Sequence, residues 1–186
     1  GSDAYVIAVT DTHTADVCRR AMAVSGEGIV VHTAGSIGIE VFGERQGCGV
    51  LYPMQTFSKG REVDIHRVSI FIEATDALTL QRIDRLAHRL SPSVKPLTSA
   101  QRARLHVAAV FACNFVNHCM TLADGELRRI GLDYRVMLPL LDETVAKLHD
   151  MTPQAAQTGP AVRGDRMVIE WHEGMIEDEH TRCVYH

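Results

Sequence analysis

Short apolar, β-branched runs recur through the first half of the chain, at residues 4–9, 29–32, 47–52 and 68–73, each closed by turn-forming residues. Continuous runs of this length predict strands buried on both faces. Residues 12–22 have helical character, with Asp11 or Thr12 as N-cap. Residues 77–90 place Leu78, Leu80, Ile83, Leu86, Ala87 and Leu90 on one side of a helix, and residues 94–97 predict a last short strand. Strands separated by helices predict an α/β domain with a mostly parallel sheet. Ligands of such sheets bind beyond the carboxyl ends of the strands. That position holds Thr10 and Asp11 in one loop and His32, Thr33 and Ser36 in the next, with residues 52–58 as a third wall.

From Ser99 onward the strand signals fade, which puts a domain boundary between residues 97 and 98. Residues 99–130 read as one long helix, with Ser99 as N-cap, Gly131 as stop and Gly125 as a kink point. Further helices are predicted at 134–151 and 165–176, and the polar tail from Glu177 is expected to fray. The long helix carries an unusual stripe. At ~100° per residue, Ser99, Arg102, His106, Cys113, Asn117 and Asp124 fall within roughly 60° of one another, with Asn114 and His118 to one side. Apolar residues cover most of the remaining circumference. Polar groups on so apolar a helix need hydrogen-bond partners. Two readings stay open: a network shared with a neighbouring helix, or the lining of a cleft.

Composition narrows the classes. The chain has 186 residues, 46% hydrophobic and 23% charged, as ordinary globular proteins do. Its net charge of −4, with both signs well mixed, gives no electrostatic footprint for nucleic acid or an anionic membrane. The longest apolar run, residues 107–113, is well short of the ~18–20 residues of a membrane span, and a cytoplasmic location is expected. The five cysteines are odd in number and without a C-x-x-C pair, which fits reduced thiols. The ten histidines show no H-E-x-x-H or other ligand spacing, so no metal is expected. There is no G-x-S-x-G elbow and no G-x-x-x-x-G-K-[ST] phosphate loop.

Four segments in order carry a resemblance: Gly49 to Ser58 (GVLYPMQTFS), Ser99 to Arg102 (SAQR), His106 to His118 (HVAAVFACNFVNH) and Ala156 to Asp165 (AQTGPAVRGD). Together they resemble a family of provisionally assigned oxidoreductases with an N-terminal Rossmann-like domain and a C-terminal helical domain of unknown function. The architecture is similar to that of 6-phosphogluconate and β-hydroxyacid dehydrogenases, prephenate dehydrogenases and related reductases. The chain departs from those groups in particulars. It has Tyr52-Pro53-Met54 where prephenate dehydrogenases carry His-Pro-Met, no lysine at the start of the long helix, and no G-x-G-x-x-G.

The resemblance implies a partial Rossmann-like sheet, lacking the family's first strands and their dinucleotide fingerprint, followed by an all-α domain. Residues 3–10 would then form an exposed, uncharged apolar edge, which needs a cover. The implied cofactor is NAD or NADP in the intact protein, with this portion alone expected to be inactive. The implied substrate is small and polar. His106 is the candidate acid or base, because its ordinary pKa near 6.5 suits proton transfer, and Asn114 and Asn117 would orient a substrate oxygen. Arg102, Gln55, Thr56 and Ser99 would bind substrate, with Thr10, Asp11, His32, Thr33 and Ser36 on the cofactor. The family also implies a homodimer through the helical domain. The alternative is a non-catalytic binding or dimerisation module of Rossmann ancestry.

Overall fold

The computed structural model describes residues 2–186. Five strands, β1 (Ala4–Ile7), β2 (Ile29–His32), β3 (Cys48–Pro53), β4 (Ile70–Ala74) and β5 (Val94–Pro96), form one sheet in sequential order. The β1–β2, β2–β3 and β4–β5 pairs are parallel, and β3–β4 is antiparallel. The sheet is therefore mostly parallel and Rossmann-like, with one reversal. Between β3 and β4 lies only a 3-10 turn, Ile65–Arg67, and no helix that could cover the sheet during a crossover. β4 accordingly returns beside β3. β1 forms one edge of the sheet, and its Val6 is half exposed.

Helix α1 (Asp11–Val24) covers one face and α2 (Ala77–His88) the other. Alternate residues of β2 divide between them. Val31 joins Ile29, Leu51, Ile70, Ile72, Ile83 and Ala87 in the core under α2, while Val30 joins Cys18, Ala21, Phe42 and Cys48 under α1. A third cluster of Val50, Tyr52 and Phe71 extends to Leu97 and Leu105. Asp76 caps α2. Its carboxylate accepts from the Thr79 backbone and hydroxyl and from the Gly47 N–H, and these bonds hold its pKa down at about 2.

The long helix differs from its expected form in three ways. Its cap is Thr98, in a reciprocal capping box with Gln101, and Ser99 is the first helical residue. The helix runs as α3 (Ser99–Ala109), a π-helical segment (Val110–Phe115) and α4 (Val116–Arg129), so its irregularity lies at 110–115 and it passes through Gly125 unbroken. The wider π turns also interrupt the 100° register on which the polar stripe depends. As a continuous helix, Ser99–Arg129 is long and apolar enough, by length and composition, to cross a membrane, contrary to the reading from apolar runs alone. The core helix of a water-soluble domain passes the same test.

By compactness the chain divides into two units, one ending at Phe115 and the other spanning Val116–His186. β5 ends at Pro96 and α3 begins at Ser99, so the change from strands to helices precedes that division. The second unit contains α4, α5 (Leu138–Asp150), α6 (Pro160–Arg163), α7 (Arg166–Met175) and α8 (Glu179–Tyr185). The tail does not fray as expected. Asp178 caps α8 by accepting from the Thr181 backbone and hydroxyl. Among the described residues of this unit only Leu127 and Ile176 are buried.

Candidate functional site

The first turn of α3 is fixed to β4 by charge. The Glu73 carboxylate accepts from the Ser99 backbone N–H at 2.8 Å and the Ser99 hydroxyl at 2.7 Å, and it pairs with the Arg102 guanidinium. Arg102 also donates to the Ile37 carbonyl at 2.6 Å, and the Ser99 hydroxyl oxygen accepts from the Ile39 N–H at 2.8 Å. At 1% exposure, Arg102 is closed to any ligand. The assignment of Arg102 and Ser99 to substrate is therefore corrected: both are committed to the junction of β4, α3 and the 36–39 loop.

One turn beyond Arg102, α3 presents His106. Its Nδ1 lies 3.3 Å from the Tyr52 hydroxyl at the end of β3, and the rings meet edge to face. Gly35, in the loop after β2, completes this arrangement. A Cβ there would lie 2.6 Å from His106 Nδ1 and 3.0 Å from the Tyr52 ring, so only a glycine lets the loop lie this close. Burial pushes the Tyr52 phenol above its ordinary pKa, partly opposed by the Arg102 cation. The phenol therefore remains an O–H donor at neutral pH. When it donates to Nδ1, the neutral imidazole keeps its proton on Nε2.

His106 and Tyr52 open into a pocket of about 400 Å³, walled by Gln55, Thr56, Cys113 and Asn114 among others. The volume falls in the range of small-molecule sites. The π segment supplies Cys113 and Asn114, which suits the frequent occurrence of such segments at functional positions. The pocket thus brings together His106, Asn114, Gln55 and Thr56 of the expected site. Asn117 is exposed in the second unit and is not among the pocket's lining residues. The stripe placed it with His106 by assuming unbroken α-helical register. Sequence reasoning had Tyr52 only as part of the third wall, residues 52–58, with no role of its own, and missed Gly35 and Glu73 as site-building residues. The position of Tyr52 before Pro53, at the end of a buried strand, was the available signal.

The strand-end loops divide in the same way. Thr10, Asp11 and Ser36 are exposed, and the Ser36 hydroxyl donates to the Asp11 carboxylate. The Thr10 hydroxyl lies 2.8 Å from His13 Nδ1, and the Thr33 N–H donates to the Ile7 carbonyl. His32 is fully buried and stacked on Phe42 at 5.6 Å, so its assignment to cofactor is also corrected. Its Nδ1 accepts from the Ala34 N–H, while Nε2 has no partner.

Burial lowers the His32 pKa from 6.5 to about 4, and Arg102 acts in the same sense. The folded protein thus holds His32 neutral, whereas the unfolded chain protonates it below its ordinary pKa of 6.5. Its contribution to stability is intact above that value, falls as pH drops toward about 4 and levels off below. The expected loss is about 3 kcal/mol. Urea midpoints between these pH values should show it in the wild type and not in His32→Leu.

The comparisons with known proteins fit this fold. Residues 68–186 match the model of a domain of unknown function, DUF2520, and the chain belongs to that family. It is 41% identical to a Bacteroides fragilis protein provisionally designated an NADP oxidoreductase, over 99% of this chain and 72% of that one, with a TM-score of 0.91. Protein TM1727 from Thermotoga maritima, at 22% identity, shares the fold with a TM-score of 0.79 over 97% of this chain and 72% of its own. No curated protein matches.

Proposed function

We propose that this protein is an NADP-dependent oxidoreductase acting on a small polar substrate held against His106. The observation that carries the reading is the His106–Tyr52 pair at the mouth of a small-molecule pocket, backed by Gly35 from the loop after β2. The provisional designation of the Bacteroides relative supports the cofactor.

The strand-end residues fit one part of a dinucleotide. Thr10, Asp11, Thr33 and Ser36 offer hydroxyl, carboxylate and backbone groups, which suit ribose hydroxyls and a carboxamide. Asp11 places negative charge in the first turn of α1, which disfavours a pyrophosphate there. These residues would hold the nicotinamide end. When bound, the nicotinamide supplies or accepts hydride. In the direction of reduction, the substrate carbonyl oxygen gains a proton. His106 in its imidazolium form would provide it from Nε2–H and be left as the neutral ring, while Nδ1–H donates to the Tyr52 hydroxyl oxygen, which holds the ring's orientation. Asn114, Gln55 and Thr56 orient the substrate's polar groups. The protein would work in the cytoplasm.

Two copies pair through the helical unit on this reading. That unit leaves Trp171 and Met167 at 64% and 81% exposure, besides Leu140, Leu148 and Met175, and such surface is normally covered. Light scattering should give twice the chain mass, and a monomer mass at all concentrations would refute the pairing.

The cofactor assignment is tested by calorimetric titration of the intact protein with NADPH and NADH. Saturable binding with NADPH the tighter supports it. Absence of binding by both favours the non-catalytic module, in which the His106–Tyr52 pair is a structural contact.

A further inference from the structure

In the second unit, two histidines that are distant in sequence meet tip to tip. His118 on α4 and His180 on α8 bring their Nε2 atoms to 3.3 Å, with ring centroids 5.5 Å apart and planes inclined at 60°. Both side chains are exposed, so neither is forced into the contact by core packing. An imidazole's unprotonated nitrogen is a metal ligand, and zinc–nitrogen bonds are 2.0–2.1 Å. Two such nitrogens on one tetrahedral ion lie roughly 3.3–3.4 Å apart. The observed separation is that edge.

We propose that His118 and His180 form a two-histidine site for a divalent transition ion of the zinc, copper or nickel class. With both rings in the Nδ1–H tautomer, the two Nε2 lone pairs converge on one ion. Among the described residues no group of three His, Cys, Asp or Glu side chains is gathered for a metal. Water therefore completes the coordination, and the site is open and exchangeable, unlike a closed structural zinc site. Imidazole ligation favours these ions over magnesium or calcium.

The site has a structural consequence. α8 is seven residues long and is held by polar contacts: the Arg182 guanidinium on the Ile176 carbonyl, Tyr185 with His172 and His186 with Glu173. With so little buried apolar surface in this unit, an ion bridging α4 to α8 clips the last helix in place. Spacing in the sequence could not reveal the pair, because the two residues stand 62 positions apart.

The test uses tag-free protein stripped of metal and titrated with Zn²⁺ against a chromogenic chelator at neutral pH. The wild type is expected to take up one exchangeable equivalent at this pair. His118→Ala and His180→Ala should each weaken that binding by at least ~10-fold, the lower end of what even ligand-orienting groups contribute. His13→Ala, in the first unit, should leave it unchanged. Long-range nitrogen–proton NMR should show both rings moving to the Nδ1–H form as zinc is added. Zinc uptake equal in the wild type and the His118→Ala/His180→Ala double variant would overturn the proposal and leave the contact as an imidazole–imidazole hydrogen bond. Because both residues are exposed, the variants are expected to retain the wild-type circular dichroism spectrum.

Discussion

Replacing Arg102 by alanine is expected to destabilise the protein by about 3 kcal/mol. The change removes a buried cation that holds Glu73 and the Ile37 carbonyl, and it leaves the Glu73 carboxylate with only the Ser99 groups. Breaking one side of a buried pair strands the other charge in a poorly solvated place, and this costs more than the pair itself contributes. Glu73 retains some exposure to water, which sets the figure at the lower end of the range for such losses. Urea denaturation should show the shift directly. The double variant Arg102→Leu/Glu73→Leu should recover part of it, because no unpaired charge remains. If the single and double variants lost stability equally, packing rather than charge would be the cause. The junction also sets the position of His106, one turn along α3, so Arg102→Ala should disturb the pocket as well as the fold.

Replacing His106 by alanine in the intact protein is expected to lower turnover by roughly 10²–10⁴-fold, the usual contribution of a positioned acid or base. NADPH affinity should stay within about threefold of the wild type, since His106 faces the substrate pocket and the strand-end loops keep their own contacts. The readout is NADPH consumption against a panel of small polar carbonyl compounds. Tyr52→Phe tests the same geometry more gently. It keeps the ring beside His106 and removes the hydroxyl on Nδ1, so it should cut turnover less than His106→Ala does. Unchanged turnover in His106→Ala would remove this residue from the chemistry.

The sheet was legible because its signal is local. Val30 and Val31 are apolar on both faces of β2, and such a run has few alternatives to a buried strand. The reversal at β4 was harder to see, since it depends on the absence of a covering helix between residues 54 and 69. Of the candidate site, His106, Asn114, Gln55 and Thr56 come from short segments that the structure sets around one pocket. Arg102 and His32 were misread for a shared reason. A polar side chain in an apolar pattern signals either a ligand or a buried partner, and only the fold shows that Glu73 stands beside Arg102 and Phe42 beside His32. Asn117 was misplaced by the π segment, whose extra turn width has no simple sequence signature. The cap of α8 by Asp178 on Thr181 was not read, because the polarity of the tail pointed to fraying.

On the proposed reading, the strand-end loops and the His106 pocket form one cofactor-and-substrate site. The measurement that decides this is backbone amide NMR of the intact protein during addition of NADPH. Shifts are expected at Thr10, Asp11, Thr33 and Ser36, with smaller ones at Gln55 and Thr56. Saturable binding that moves none of these amides, or moves only residues of the second unit, would contradict it.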